Sequence, residues 1–133
     1  SAEAGARHRL EPVARLVDLV EAAGDPILQL TAGATAMERL LDRNGLDLAA
    51  MDHIEYMEAF AVVPALFERA YDVDMERVNP YGGHLAMGHP MGATGAILAT
   101  AVTAELRRTG SGRGLAVAHG GAGVGVAAIF EAA

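Results

Sequence analysis

The 133-residue chain has no cysteine and no tryptophan, only 5% of its residues are aromatic, and its 17 acidic residues outnumber its 10 basic ones. Each shortage excludes something. Without cysteine there can be no disulfide, no thiolate metal site and no cysteine nucleophile within this chain. With a net charge of −7 and a pI near 5.1, no Lys/Arg cluster offers a phosphate-binding face, so nucleic acid is not expected as a partner. Arg107, Arg108 and Arg113 are the densest basic group, and cations there suit a helix end, where they complement the dipole. The longest stretch free of Asp, Glu, Lys and Arg, residues 78–104, exceeds a membrane span. It also holds two histidines, two prolines and five glycines, so it is rejected as a transmembrane helix, and no membrane partner is expected. Nothing in the small, charged start from Ser1 to Arg9 reads as a secretory leader, and a cytoplasmic location is the default expectation.

What remains is half hydrophobic (52%) and one-fifth charged, the composition of a single globular domain. Residues 1–12 are expected to be a linker or flexible N-terminus, and residues 13–133 the domain. Val13 to Ala22, rich in valine, fits a half-buried strand. Thr35 to Glu38 fits a capping box, followed by a helical stripe of Met37, Leu40 and Leu41 and a stop at Asn44-Gly45. Asp52 to Glu58 fits a short strand. Ala59 to Tyr71 carries apolar residues at helical spacing, with Pro64 in the first turn, where its missing N–H does little harm. Gly92 to Thr109 is small and apolar until Glu105, predicting a helix buried on most sides. Leu115 to Ala118 and Val124 to Phe130 predict an antiparallel hairpin. The order β-α-β-α-α-β-β predicts an α/β mixed sheet covered by helices.

The chemistry concentrates between Val78 and Gly95, where Gly82, Gly83, Gly88, Gly92 and Gly95 surround His84, His89, Pro80 and Pro90. Pro90 biases His89 toward an extended conformation just before a helix, and a helix N-terminus favours the neutral imidazole that a base requires. A core histidine bonded to a backbone carbonyl is the plainer alternative for His89. The run His119-Gly-Gly-Ala-Gly-Val-Gly125 fails as a dinucleotide fingerprint, because Val126 breaks one frame and the other runs into a strand. It is either a tightly packed strand connection or a set of backbone N–H groups forming an oxyanion hole beside His119. No P-loop is present, and neither the spacing nor a nearby carboxylate supports zinc on His84, His89 and His119. His84 is expected to line a pocket or lie exposed, His8 and His53 to lie at the surface, and Met57 to fill apolar space.

Three motif frames in order, Met57 to Ala61, Asn79 to Gly83 with Gly88-His89-Pro90, and His119 to Gly121, resemble the C-terminal half of the thiolase family from about Val13 to Glu131. The Asn-Pro-Tyr-Gly-Gly form of the loop is closer to the sterol-carrier-type branch. The resemblance implies half of the thiolase fold, with a five-stranded mixed sheet layered with helices. It implies an acyltransferase acting on acyl-CoA or acyl-thioesters, with the thioester as substrate and no other cofactor. An N-terminal half, on the same or a separate chain, would carry the cysteine nucleophile and is the expected partner, in an oligomer; this half alone is not expected to be active. By the same resemblance His89 activates that cysteine. His119 stands where the family has a second cysteine as acid/base, and Gly121 supplies an oxyanion N–H. Met57 stands where typical members have an asparagine that positions a water, and a thioether cannot donate that hydrogen bond. Phe60 matches the same motif, and Gly83 belongs to the glycine pair lining the site. The alternative implied is a catalytically inactive scaffold or acyl-CoA-binding subunit.

Overall fold

The computed structural model describes residues 2–133. Four strands form one sheet in the order β1-β4-β3-β2, with β1 at Ala14–Ala23, β2 at His53–Tyr56, β3 at Arg113–Gly120 and β4 at Val124–Ala132. β4 is antiparallel to both of its neighbours, and β3 is parallel to β2, so the sheet is mixed. The expected hairpin is present, with Gly120 opposite Val124. Taken by themselves the residues suggest four strands, and four are seen; the fifth expected from the family resemblance is not. Its place at the free edge of β2 is held by a single parallel bridge between Ile54 and Val78. Pairing stops there because Asn79 turns the chain with a φ of 47° and Pro80 has no N–H to donate.

Around the sheet lie α1 (Ala2–His8), α2 (Ala32–Asn44), α3 (Val62–Ala70), α4 (His84–Met87) and α5 (Thr94–Thr109). Residues 2–8, assigned to the linker from sequence, are helical, with no buried residue. α2 begins three residues before Thr35, so the expected capping box lies inside the helix and caps nothing. Its start is set instead by contact: a Cβ on Gly125 of β4 would lie 2.2 Å from the Gly33 nitrogen. Its end is as expected, with Gly45 left-handed at φ 63° and the Leu46 N–H bonded to the Leu41 carbonyl at 2.9 Å. Pro64 sits in the first turn of α3, where a proline fits.

One face of the sheet packs Ile54, Leu115, Val117 and Ile129 against Met37 and Leu40 of α2 and Phe67 of α3. On the other, Leu98, Val102 and Leu106 of α5 bury against Ala116 and Met57. Each of these side chains larger than alanine contributes roughly 1.5–3 kcal/mol. That α5 stripe, continued by Thr94, is the only part of the helix that is fully buried, which corrects the expectation of burial on most sides. Gly95, Ala96, Thr100 and Ala104 are exposed. Beside the helix, Leu16, Leu19, Val126, Ala128 and Phe130 of the sheet border an open apolar trough of about 210 Å³. No helix among the described residues is long and apolar enough to cross a membrane.

Candidate active site

The Gly/His loop is tied to the end of β2 by two residues. Asn79 trades hydrogen bonds with the Tyr56 backbone (2.8 and 2.9 Å) and donates to the Glu58 carboxylate at 2.8 Å. Glu58 in turn accepts from the Leu85 N–H at 3.2 Å. A Cβ on Gly83 would lie 2.2 Å from the Glu58 Oε2. The close approach that the glycine pair permits is therefore made by Glu58, and any side chain at 83 would unseat the loop.

His89 is half-buried at the corner between Gly88 (φ 91°) and Pro90. Its Nδ1 lies 2.8 Å from the Thr94 hydroxyl, the first residue of α5, itself 3% exposed. With Nδ1 engaged there, Nε2 is the nitrogen left for a substrate or nucleophile. The ring of His84 stands against His89 at 5.6 Å between centroids and 87° between planes. His84 is buried, not exposed, and neither of its ring nitrogens has a hydrogen-bond partner. Burial holds its pKa below the ordinary histidine value; the neighbouring His89 adds to this, while Glu58 and Glu55 oppose it.

His119 ends up on the α2 side of the sheet. Its Nδ1 accepts from the Gly33 N–H at 3.2 Å, and its ring meets that of Tyr56 edge-on at 4.8 Å. A backbone N–H can only donate, so the neutral ring carries its proton on Nε2. Burial pushes the pKa down to about 4, so His119 is uncharged at neutral pH. No hydrogen bond or ring contact joins it to His89 among the described residues. Met57 packs on the opposite face with Leu98 and Val102, is 1% exposed, and donates its N–H to the Val117 carbonyl at 2.9 Å. Phe60 is 63% exposed.

The glycines after His119 divide by cause. A Cβ on Gly120 would strike the Val124 side chain at 2.4 Å, on Gly123 the Gly24 carbonyl oxygen at 2.5 Å, and on Gly125 the Gly33 nitrogen. Gly121 is exposed and has nothing within 4 Å of that position. Packing thus explains three glycines and leaves Gly121 without a structural reason inside this chain.

Two features were not anticipated from sequence. Thr94 orients His89, and the only hint was a hydroxyl at a helix start. His53, placed at the surface, is 3% exposed and bonded to buried Glu55 at 2.8 Å. Their i, i+2 spacing on a strand puts both side chains on the face under α5.

Residues 10–132 match the family model for the thiolase C-terminal domain. The chain is 40% identical over 124 residues to the steroid 3-ketoacyl-CoA thiolase FadA6 of Mycobacterium tuberculosis, covering 93% of this chain and 30% of that protein. It is 34% identical over 131 residues to human mitochondrial 3-ketoacyl-CoA thiolase, covering 98% of this chain and 33% of that one. The crystal structure of the human enzyme superposes with a TM-score of 0.93 at 34% identity, and that of Acat5 thiolase from Ascaris suum in complex with coenzyme A with 0.92 at 33%. Each covers all of this chain and uses 34% of its own length. The chain spans about a third of the relatives that it matches. Its fold, its motif frames and these similarities together place it in the thiolase family, as the C-terminal domain.

Proposed function

We propose that this domain supplies the base side of a thiolase-type acyltransferase site acting on acyl-CoA or other acyl-thioesters, completed by an N-terminal half that brings the cysteine nucleophile. The observation that carries the reading is His89, with Nδ1 held by Thr94 at 2.8 Å and Nε2 left for chemistry, in a chain with no cysteine for it to activate. In the proposed first step the thiol of the partner half gives its proton to His89 Nε2, and the thiolate attacks the thioester carbonyl. The adduct then collapses: its original C–S bond breaks, the acyl group stays on the cysteine, and the departing carrier thiolate takes the proton back from His89. Gly121, a glycine that no packing in this chain requires, offers its N–H to the carbonyl oxygen as negative charge develops. His119 occupies the second acid/base position as a neutral imidazole protonated on Nε2; accepting a proton requires Nδ1 to leave Gly33. The coenzyme A thioester is substrate, and no further cofactor is invoked.

The surface supports a missing half. The exposed side of α5 is built from Gly95, Ala96 and Thr100, small enough for another helix to approach closely. The apolar trough beside it joins the same face. The proposed partner is the N-terminal thiolase half, in an oligomer, and a cytoplasmic location goes with this reading.

The test is the native mass of the purified assembly with identification of co-purifying chains, followed by thioester cleavage and condensation assays with and without His89→Ala. Activity lost in that variant is expected. An assembly with an intact nucleophile, no thioester chemistry and no response to His89→Ala would refute the reading. A second reading, an inactive scaffold or acyl-CoA-binding subunit, is favoured by Met57, whose buried thioether occupies the position where typical members place a polar anchor. Turnover by the unaltered assembly would exclude it.

A further inference from the structure

We propose that His84 is a positioning residue for His89, a buried imidazole whose ring backs the candidate base and fixes the plane in which it presents Nε2. The inference rests on the proposed function for its catalytic meaning, and on geometry for its structural content.

Among the described residues His89 makes one side-chain hydrogen bond, to the Thr94 hydroxyl at 2.8 Å, and one ring contact, with His84 at 5.6 Å and 87°. One hydrogen bond leaves a ring free to swing about it, and a second contact perpendicular to the plane removes that freedom. The backbone of His84 is well placed to provide it. Residue 84 opens α4, whose first turn is seated on Glu58 through the Leu85 N–H and the bare Gly83.

The side chain is 4% exposed, and both of its nitrogens lack partners. Buried polar atoms are ordinarily paired, so its own hydrogen bonds do not hold His84 in place. Its one aromatic contact is with His89. A local rule broken without structural gain, next to a candidate base, is a mark of function.

Charge makes the arrangement workable. The ionisable groups acting on His84 are His89 from the loop, Glu58 just beyond β2 and Glu55 on β2. Burial and a positive His89 both disfavour a proton on His84, against the pull of the two carboxylates. When His89 takes the thiol proton in the proposed first step, His84 therefore stays neutral beside it. An aromatic ring beside the resulting imidazolium is a favourable neighbour.

The test is side-chain ¹⁵N NMR of His89 in the 133-residue chain, comparing wild type with His84→Ala and His84→Phe. In the wild type and in His84→Phe, which keeps a ring, the His89 signals should report one ring orientation hydrogen-bonded to Thr94. In His84→Ala they should broaden or average. In an assembled active enzyme, kcat should fall about tenfold for His84→Ala with KM within about twofold, and His84→Phe should retain at least about a third of wild-type kcat. His84→Phe should also raise Tm, since it removes two unpaired buried nitrogens.

Unchanged His89 signals in a folded His84→Ala variant would overturn the proposal. So would His84→Phe behaving like His84→Ala, because the nitrogens and not the ring would then matter. Should His84→Ala fail to fold by circular dichroism, the wild-type spectrum decides: His89 signals that average over several ring orientations despite the His84 contact overturn the inference. The NMR experiment needs no partner half. A catalytically silent assembly would therefore sink the proposed function and leave this positioning role intact.

Discussion

Acidification should destabilise this domain well before its carboxylates are protonated, and His119 is the reason. In the unfolded chain its pKa is near ~6.5, whereas in the fold burial pushes it down to about 4. The folded pKa is depressed for a group that is neutral when folded. Between those two values the unfolded state therefore binds a proton that the folded state does not, and stability falls as pH falls. The effect is absent above about pH 6.5 and complete below about pH 4. A displacement of this size corresponds to about 3 kcal/mol, a large part of the ~5–15 kcal/mol that holds a typical domain together. His84, also depressed by burial, adds in the same direction. The Asp18, Glu105 and Glu131 carboxylates, whose pKa values are lowered by Arg43, Arg108 and Arg113, contribute stability that is lost only below their unfolded values near ~4. The window from pH 6.5 to 4.5 is thus dominated by histidine. Urea denaturation at half-unit pH intervals should show it. In His119→Asn the amide oxygen can accept from Gly33 in place of Nδ1 without titrating, and most of the slope should disappear. Parallel wild-type and His119→Asn curves across this window would refute the account of His119 as a buried neutral group.

Three further outcomes follow from distances. Gly125→Ala sets a Cβ 2.2 Å from the Gly33 nitrogen, backbone against backbone, and should destabilise by about 3 kcal/mol in urea titration; a loss under about 1 kcal/mol would mean that α2 slides freely on β4. Gly121→Ala meets nothing within 4 Å and should leave stability within about 0.5 kcal/mol while lowering turnover of an assembled enzyme at least tenfold; unchanged turnover would remove Gly121 from the site. Glu58→Ala deletes the acceptor for Asn79 and Leu85 and should lower stability by about 2 kcal/mol. It should also speed amide exchange at Leu85, and protection like that of the wild type there would show that the loop is held by other contacts.

The elements were legible wherever a local rule governs. Gly45 ends α2 because only the left-handed conformation closes that turn, and the hairpin of β3 and β4 follows from two apolar runs set close together. Thr35 misled because a capping box is a local signal, while the start of α2 was fixed by glycine contacts with β4, ninety residues away in the chain. The missing fifth strand has a cause of the same kind: Asn79 takes a left-handed turn at the moment Val78 begins to pair. In the site, His89 stood out through its glycines and prolines. Thr94 did not, since a hydroxyl at a helix start is common and only the fold brings it to Nδ1. His53 looked like a surface residue because its partner Glu55 becomes visible only once both side chains share the face beneath α5.

By itself the sequence determined what chemistry this domain can hold: an imidazole at a glycine-lined corner, and no thiol for it to activate. Periodicity and turn residues act over a few positions, so they also determined most of the elements. Tertiary structure decided how those groups are presented. It seated the loop on Glu58, left Nε2 of His89 free by engaging Nδ1, backed that ring with His84, and buried His119 on the other side of the sheet as a neutral acceptor for the Gly33 N–H. Those outcomes depend on contacts between residues distant in the chain, and on burial, which sets the charge a histidine carries; neither is written in local sequence.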